Sequence, residues 1–138
     1  MKKTDGGVLA PKGFRAGAAQ AGIKAAGGLD IGVLWSDAPA VTAAIFTQSS
    51  IVAAPVVLSR QNCQDHNVRA VVVNSGNANC MTGQEGMQNA ERMASDTAKL
   101  LNVHPEEVLV ASTGIIGRPL PIDKVQKGIQ ETLGADSA

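Results

Sequence analysis

VRAVVVNSGNANCMTG, residues 68–83, is the stretch whose reading decides the fold. Its first six residues are dominated by valine, whose branched side chain packs well on a pleated surface, so 68–73 reads as a buried strand. Asn74, Ser75, Gly76 and Asn77 follow, residue types that favour a tight, backbone-exposing turn. A helix comes next. Thr82 stands three residues before Glu85, the spacing of a capping box, and Met87, Ala90, Met93, Ala94, Thr97, Ala98 and Leu101 then share one helical face until Asn102 ends it.

Downstream the pattern repeats. Residues 108–111 read as a second buried strand, terminated by Ser112-Thr113-Gly114, and a second amphipathic helix turns Ile122, Val125, Ile129 and Leu133 inward before Gly134 stops it. Upstream, 29–36 and 41–47 read as two strands joined by the turn Asp37-Ala38-Pro39-Ala40, a hairpin. Residues 53–59 are either an edge strand or a helix beginning at Pro55. Residues 12–24 show no clean period, and their glycines argue for an irregular or curved segment.

Strands mixed with helices place the 138 residues in a layered α/β (α+β) class, as one domain spanning 1–138 whose core is built from small side chains, since only Phe14, Trp35 and Phe46 are aromatic. Twelve basic and twelve acidic residues cancel and form no long run, which argues against nucleic acid or a membrane surface as partner. Met1-Lys2-Lys3-Thr4-Asp5 runs into Gly6-Gly7 and not into the apolar run of a signal peptide, so Cys63 and Cys80 are expected as free thiols in the cytoplasm. The ending GADSA, residues 134–138, reads as a linker.

Residues 74–83 can wall a site near a helix start, or form an ornate turn and cap; the local sequence favours the turn. Ser112-Thr113-Gly114 at a strand end can aim a hydroxyl and a glycine N–H at one substrate oxygen, as acyl transfer requires, or be a polar strand end with a permissive glycine. Cys63 and His66 are a close pair, but Cys80 and His104 stand apart, so no metal site is expected. Cys80 as a nucleophile lacks any local signature. The glycine pairs 6–7 and 27–28 match neither a P-loop nor a dinucleotide fingerprint, and no cofactor is implied.

Five blocks in unbroken order carry a resemblance: PKGFRAGAAQAGIK at 11–24, Ile45-Phe46-Thr47, AAPVVLSR at 53–60, VVVNSGNANCMTG at 71–83 and EEVLVASTGIIGRPLP at 106–121. Together they resemble the ornithine acetyltransferase family, also called glutamate N-acetyltransferase. The resemblance implies stacked sheets flanked by helices, as in the related self-processing aminopeptidases of N-terminal-nucleophile type. It also implies movement of acetyl from N-acetylornithine to glutamate in arginine biosynthesis, with acetyl-CoA a further donor in some members. Members cut themselves before a threonine into α and β chains, and that threonine becomes both base and nucleophile. Carried over, the family's oxyanion-hole pair falls on Thr113 and Gly114. The partners implied are the β chain in an α2β2 heterotetramer and the small-molecule substrates.

Two departures stand out. Cys80-Met81 occupies the place where relatives commonly read Ala-Cys, and the chain stops before the family's substrate-binding lysine and cleavage point. The expectation is therefore an N-terminal part of an α chain, inactive by itself. The rivals are a non-catalytic binding or interaction domain, and an amide hydrolase on the same scaffold.

Overall fold

A computed structural model describes residues 5–64 and 67–134. Four strands, β1 Phe14–Ala19, β2 Ile31–Val41, β3 Asn67–Asn77 and β4 Val108–Ile115, form one sheet in the order β1-β2-β3-β4. The first two pairings are antiparallel and β3 to β4 is parallel. Three helices, α1 Ala54–Asn62, α2 Gly83–Leu101 and α3 Ile122–Gly134, complete the layered α+β architecture expected from the sequence. α2 supplies the crossover that a parallel strand pair needs.

The helices gather on one face because strand residues alternate in direction. Ile31 and Val33 of β2, Ala70 and Val72 of β3, and Val108 and Val110 of β4 are buried and meet Ala90, Met93 and Ala94 of α2 and Val125 and Ile129 of α3. Burying each of the larger side chains contributes about 1.5–3 kcal/mol. α3 lies so close to β2 that a Cβ on Gly128 would come within 2.6 Å of Ile31 Cγ1 and 2.8 Å of Ala21 Cβ. Only a glycine admits that approach.

The opposite face is less covered. Leu34, Val71 and Leu109 are in register across three strands and only half-buried, and Val73 in the next row is 37 % exposed. The free edge of β4 is instead well satisfied. The Ser59 hydroxyl of α1 donates to the Val110 carbonyl (2.8 Å) and accepts from the Val110 N–H (2.9 Å), while Asn62 Nδ2 donates to the Val108 carbonyl (2.8 Å). A sheet edge left unpaired is a template for aggregation, and α1 removes part of it.

Several sequence expectations are corrected. Residues 12–24 include a regular strand, β1, whose Phe14 to Ala19 pair with Ser36 to Ile31; its small residues leave room for α3, which is why no periodicity marks it. The hairpin of 29–36 with 41–47 does not form. β2 continues through Asp37-Ala38-Pro39-Ala40 to Val41, and the extra residues are absorbed as a register shift between Trp35 and Ala40, where a proline costs no ladder bond. Residues 42–52 carry no regular strand or helix. The ambiguous 53–59 segment is helical, with proline in its first turn. Both Asn74–Asn77 and Ser112–Gly114 lie inside their strands, so the turns come later than expected. Thr82 precedes α2 but forms no capping box: its hydroxyl donates to Asn79 Oδ1 (3.0 Å) instead. The inner faces of α2 and α3 and the left-handed stop at Asn102 (φ 53°) are as the sequence indicates. His66 and residues 135–138 lie outside the described residues.

Candidate functional site

The C-terminal ends of β3 and β4 change character within one ladder. Ala70 opposite Val108 and Val72 opposite Val110 are apolar, whereas Asn74 faces Ser112, Ser75 faces Thr113 and Gly76 faces Gly114. At the last of these pairs the two backbones nearly touch. A Cβ on Gly114 would fall 2.3 Å from the Gly76 carbonyl carbon and 2.5 Å from the Asn77 nitrogen, and its φ of +133° is itself a conformation that L side chains rarely adopt. The sequence cannot substitute here without moving a strand.

Two connections wall this strand end. Residues 20–30, between β1 and β2, are gathered by the buried Asp30 carboxylate, which accepts N–H bonds from Ala21 (2.6 Å), Ile23 (2.6 Å) and Lys24 (3.1 Å). Burial by itself raises the Asp30 pKa, but these N–H donors and the Lys24 ammonium outweigh it and hold the carboxyl below its ordinary value. The Asp30 carbonyl also accepts from the Ser75 N–H (2.8 Å), tying this loop to β3. After β4, residues 116–121 cross back over the strand end, and the Asn77 carboxamide donates to the carbonyls of Arg118 (3.2 Å) and Pro119 (3.0 Å).

Between the two connections lies a cleft of about 590 Å³, lined among others by Ile23, Lys24, Ser75, Asn77, Gly114 and Arg118. Its charged side chains, Lys24 and Arg118, are both cationic. Thr113 is exposed, and its hydroxyl makes no hydrogen bond with the described residues; it is not part of the cleft wall, although its neighbour Gly114 and its register partner Ser75 both are. Ser112 points the other way, and its buried hydroxyl oxygen, like Asn74 Oδ1 opposite, has no hydrogen-bond partner among the described residues. Of the Ser-Thr-Gly triplet, the structure therefore leaves Thr113 and Gly114 accessible and turns the Ser112 hydroxyl inward.

Such a place can stabilise charge on a carbonyl oxygen. A free hydroxyl next in sequence to a glycine whose cleft is lined by two cationic side chains supplies donors of the kind that a tetrahedral intermediate needs. The thiols offer less. Cys63 is buried, which raises its pKa and disfavours the thiolate, and among the described residues no group of three or more His, Cys, Asp or Glu stands close enough to hold a metal ion. No helix among the described residues is long and apolar enough to cross a membrane. Sequence reasoning singled out Thr113, Gly114 and the 74–83 segment. It misses Asp30 and the 23–26 wall, because Asp30 falls in the stretch that reads as a strand and nothing local signals that its carboxylate gathers the preceding loop.

The chain is similar to known proteins of one family. The curated arginine biosynthesis bifunctional protein ArgJ of Dehalococcoides mccartyi is 48% identical over 128 residues, which are 91% of this chain and 32% of that protein. Its counterpart from Rhodopirellula baltica is 48% identical over 90% of this chain and 30% of its own length. The chain thus spans about a third of the length of these relatives. Among solved structures, ornithine acetyltransferase from Mycobacterium tuberculosis, complexed with ornithine, superposes with a TM-score of 0.88 at 38% identity over 91% of this chain and 68% of that one. The arginine biosynthesis bifunctional protein of Bacillus halodurans gives 0.83 at 34% over 87% of this chain and 63% of that one. The family model described as "ArgJ family" matches residues 15–137, and with these relatives it shows that the chain belongs to the ArgJ family.

Proposed function

We propose that this chain is the N-terminal part of the α chain of an acetyltransferase that moves acetyl from N-acetylornithine to glutamate, and that Thr113 and Gly114 form its oxyanion hole. One observation carries the reading: Gly114 lines the cleft at a strand end where no side chain fits, with the free Thr113 hydroxyl beside it. The nucleophile is a threonine in the further length that relatives possess. Its hydroxyl attacks the acetyl carbonyl of N-acetylornithine while its own α-amine takes the hydroxyl proton. The oxyanion is held by the Thr113 hydroxyl and the Gly114 N–H. Collapse expels the ornithine amine, which receives that proton, and leaves an acetyl ester on the threonine. The glutamate amine then attacks the ester, giving N-acetylglutamate and the free threonine. Lys24 and Arg118 supply a positive field suited to the carboxylates of both substrates.

The partner in this reading is the β chain of the same precursor, in an α2β2 assembly. The half-covered row Leu34, Val71 and Leu109 with exposed Val73 is the apolar sheet face that a second sheet would cover. The test uses the complete protein, meaning this chain continued by the length its relatives carry. Thr113→Ala lowers kcat by roughly two to three orders of magnitude, since one lost oxyanion donor costs about 3 kcal/mol of barrier. An unchanged kcat removes Thr113 from the role. Intact mass measurement of the purified protein should find a second polypeptide beginning with threonine; a single uncut polypeptide that is fully active counts against the self-processing part.

A further inference from the structure

We infer that Asn77 is a positioning residue, whose carboxamide sets where Gly114 stands in the cleft by holding the connection that follows β4. This deepens the reading above and rests on it. Asn77 belongs to NSGNAN, residues 74–79, a segment that the proposed chemistry leaves unused.

Gly114 is held from one side by its register partner Gly76, at a contact too close for any side chain. What holds it from the other side is the path of residues 115–119. That path is tied to the residues after β3 at successive points: the Ala78 N–H donates to the Ile115 carbonyl (3.0 Å), and the Gly117 N–H donates to the Cys80 carbonyl (3.0 Å). The remaining ties both come from one side chain. Asn77 Nδ2 spends its two protons on the Arg118 and Pro119 carbonyls at 3.2 and 3.0 Å, while Oδ1 accepts the Asn79 N–H at 2.9 Å.

Asn77 is 5 % exposed, so water cannot replace these bonds cheaply. Its own backbone carbonyl accepts from Asn74 Nδ2 (2.8 Å), which fixes the residue that does the holding. Both N–H protons and the oxygen of the carboxamide are thus engaged, and no isosteric residue reproduces them. Aspartate has the same shape but offers only acceptors, which would face two carbonyl oxygens. Pro119 has no N–H with which to anchor itself, so in this stretch its carbonyl is what the sheet can grip.

Loss of the grip should move Gly114 without removing either proposed oxyanion donor. Misplacement of a reacting geometry by about 1 Å costs on the order of 100-fold in rate. In the complete protein, Asn77→Asp is therefore expected to lower kcat by about 100-fold while KM for N-acetylornithine and glutamate stays within about threefold, because the lost interaction is felt in the transition state. Asn77→Ser, which loses both bonds but sets no carboxylate against the two carbonyls, should fall between it and the parent and gives the reading if the aspartate variant does not fold. Ser59→Ala is the matched control: it removes buried bonds to the same strand β4 at Val110, away from the cleft, and should lower thermal stability without lowering kcat.

Thr113→Ala and Gly114→Ala are assayed alongside. If they lose kcat and both Asn77 variants keep it within about threefold of the parent while folded, this inference is overturned and the oxyanion-hole reading stands. If Thr113→Ala and Gly114→Ala keep kcat, both fail together. A kcat loss in Ser59→Ala as large as in Asn77→Asp at equal stability would also overturn it, by showing that any loosening of β4 suffices.

Discussion

The two ends of the β3–β4 ladder are built for opposite purposes. At the start, Ala70, Val72, Val108 and Val110 face the helices and are almost wholly buried, and their only requirement is to fill space. At the finish, Gly76 and Gly114 bring backbones together, Asn74 and Ser112 bury polar atoms without partners, and Asn77 grips a neighbouring connection. Unpaired buried polar atoms and close glycine contacts are costs in stability. The apolar end offsets them, so one rigid strand pair can carry an exposed, polar site at its tip.

The largest expected effect tests that division at the tip. Gly114→Ala in the complete protein forces a Cβ into the Gly76 backbone, and acetyl transfer measured by N-acetylglutamate formation should fall by at least about 100-fold. Retention of activity would mean that the strand ends part without consequence. At the other end, Met93→Ala empties a fully buried position and should cost about 3 kcal/mol in denaturant unfolding, with kcat per folded molecule unchanged. A matching drop in kcat would erase the distinction between the ends.

A smaller effect concerns the loop that walls the cleft. Asp30→Ala leaves the N–H groups of Ala21, Ile23 and Lys24 without their acceptor and should cost about 2 kcal/mol. The sign of its pH dependence follows from the lowered pKa. The parent holds this stabilisation above the ordinary carboxylate value of 3.8 and loses it as pH falls below that, through the folded-state pKa. The gap between parent and Asp30→Ala should therefore narrow in acid; a gap constant from neutral pH down to pH about 2 would show that the carboxylate charge is not what gathers the loop. The smallest effect belongs to the surface. Arg15→Ala, which breaks the exposed pair with Asp37 (2.9 Å), should shift stability by less than about 0.5 kcal/mol in the same unfolding measurement.

Much of the helix-covered half is legible in the chain. Met87 to Leu101 and Ile122 to Leu133 announce their helices because a buried helical face imposes a period that local sequence must obey, and the valines of β3 and β4 do the same for buried strands. The candidate site was legible differently: Thr113 and Gly114 came from resemblance, since a strand-end Ser-Thr-Gly is locally no more than a polar end with a flexible residue.

Other features needed the folded molecule. β1 is hidden because its alanines and glycines owe their identity to α3 lying over them, and β2 runs through Asp37-Ala38-Pro39-Ala40 because its partners are β1 and β3 and not the residues that follow it. Asp30, Asn77 and Gly114 act on residues that only the sheet brings near. The two strand-and-helix units, their inner faces and the family are readable from the chain, because they rest on periodicity and ordered blocks along it. The strand pairing, the register shift in β2 and the close contact at Gly114 arise only on folding, because each depends on the distance between backbones that no local pattern encodes.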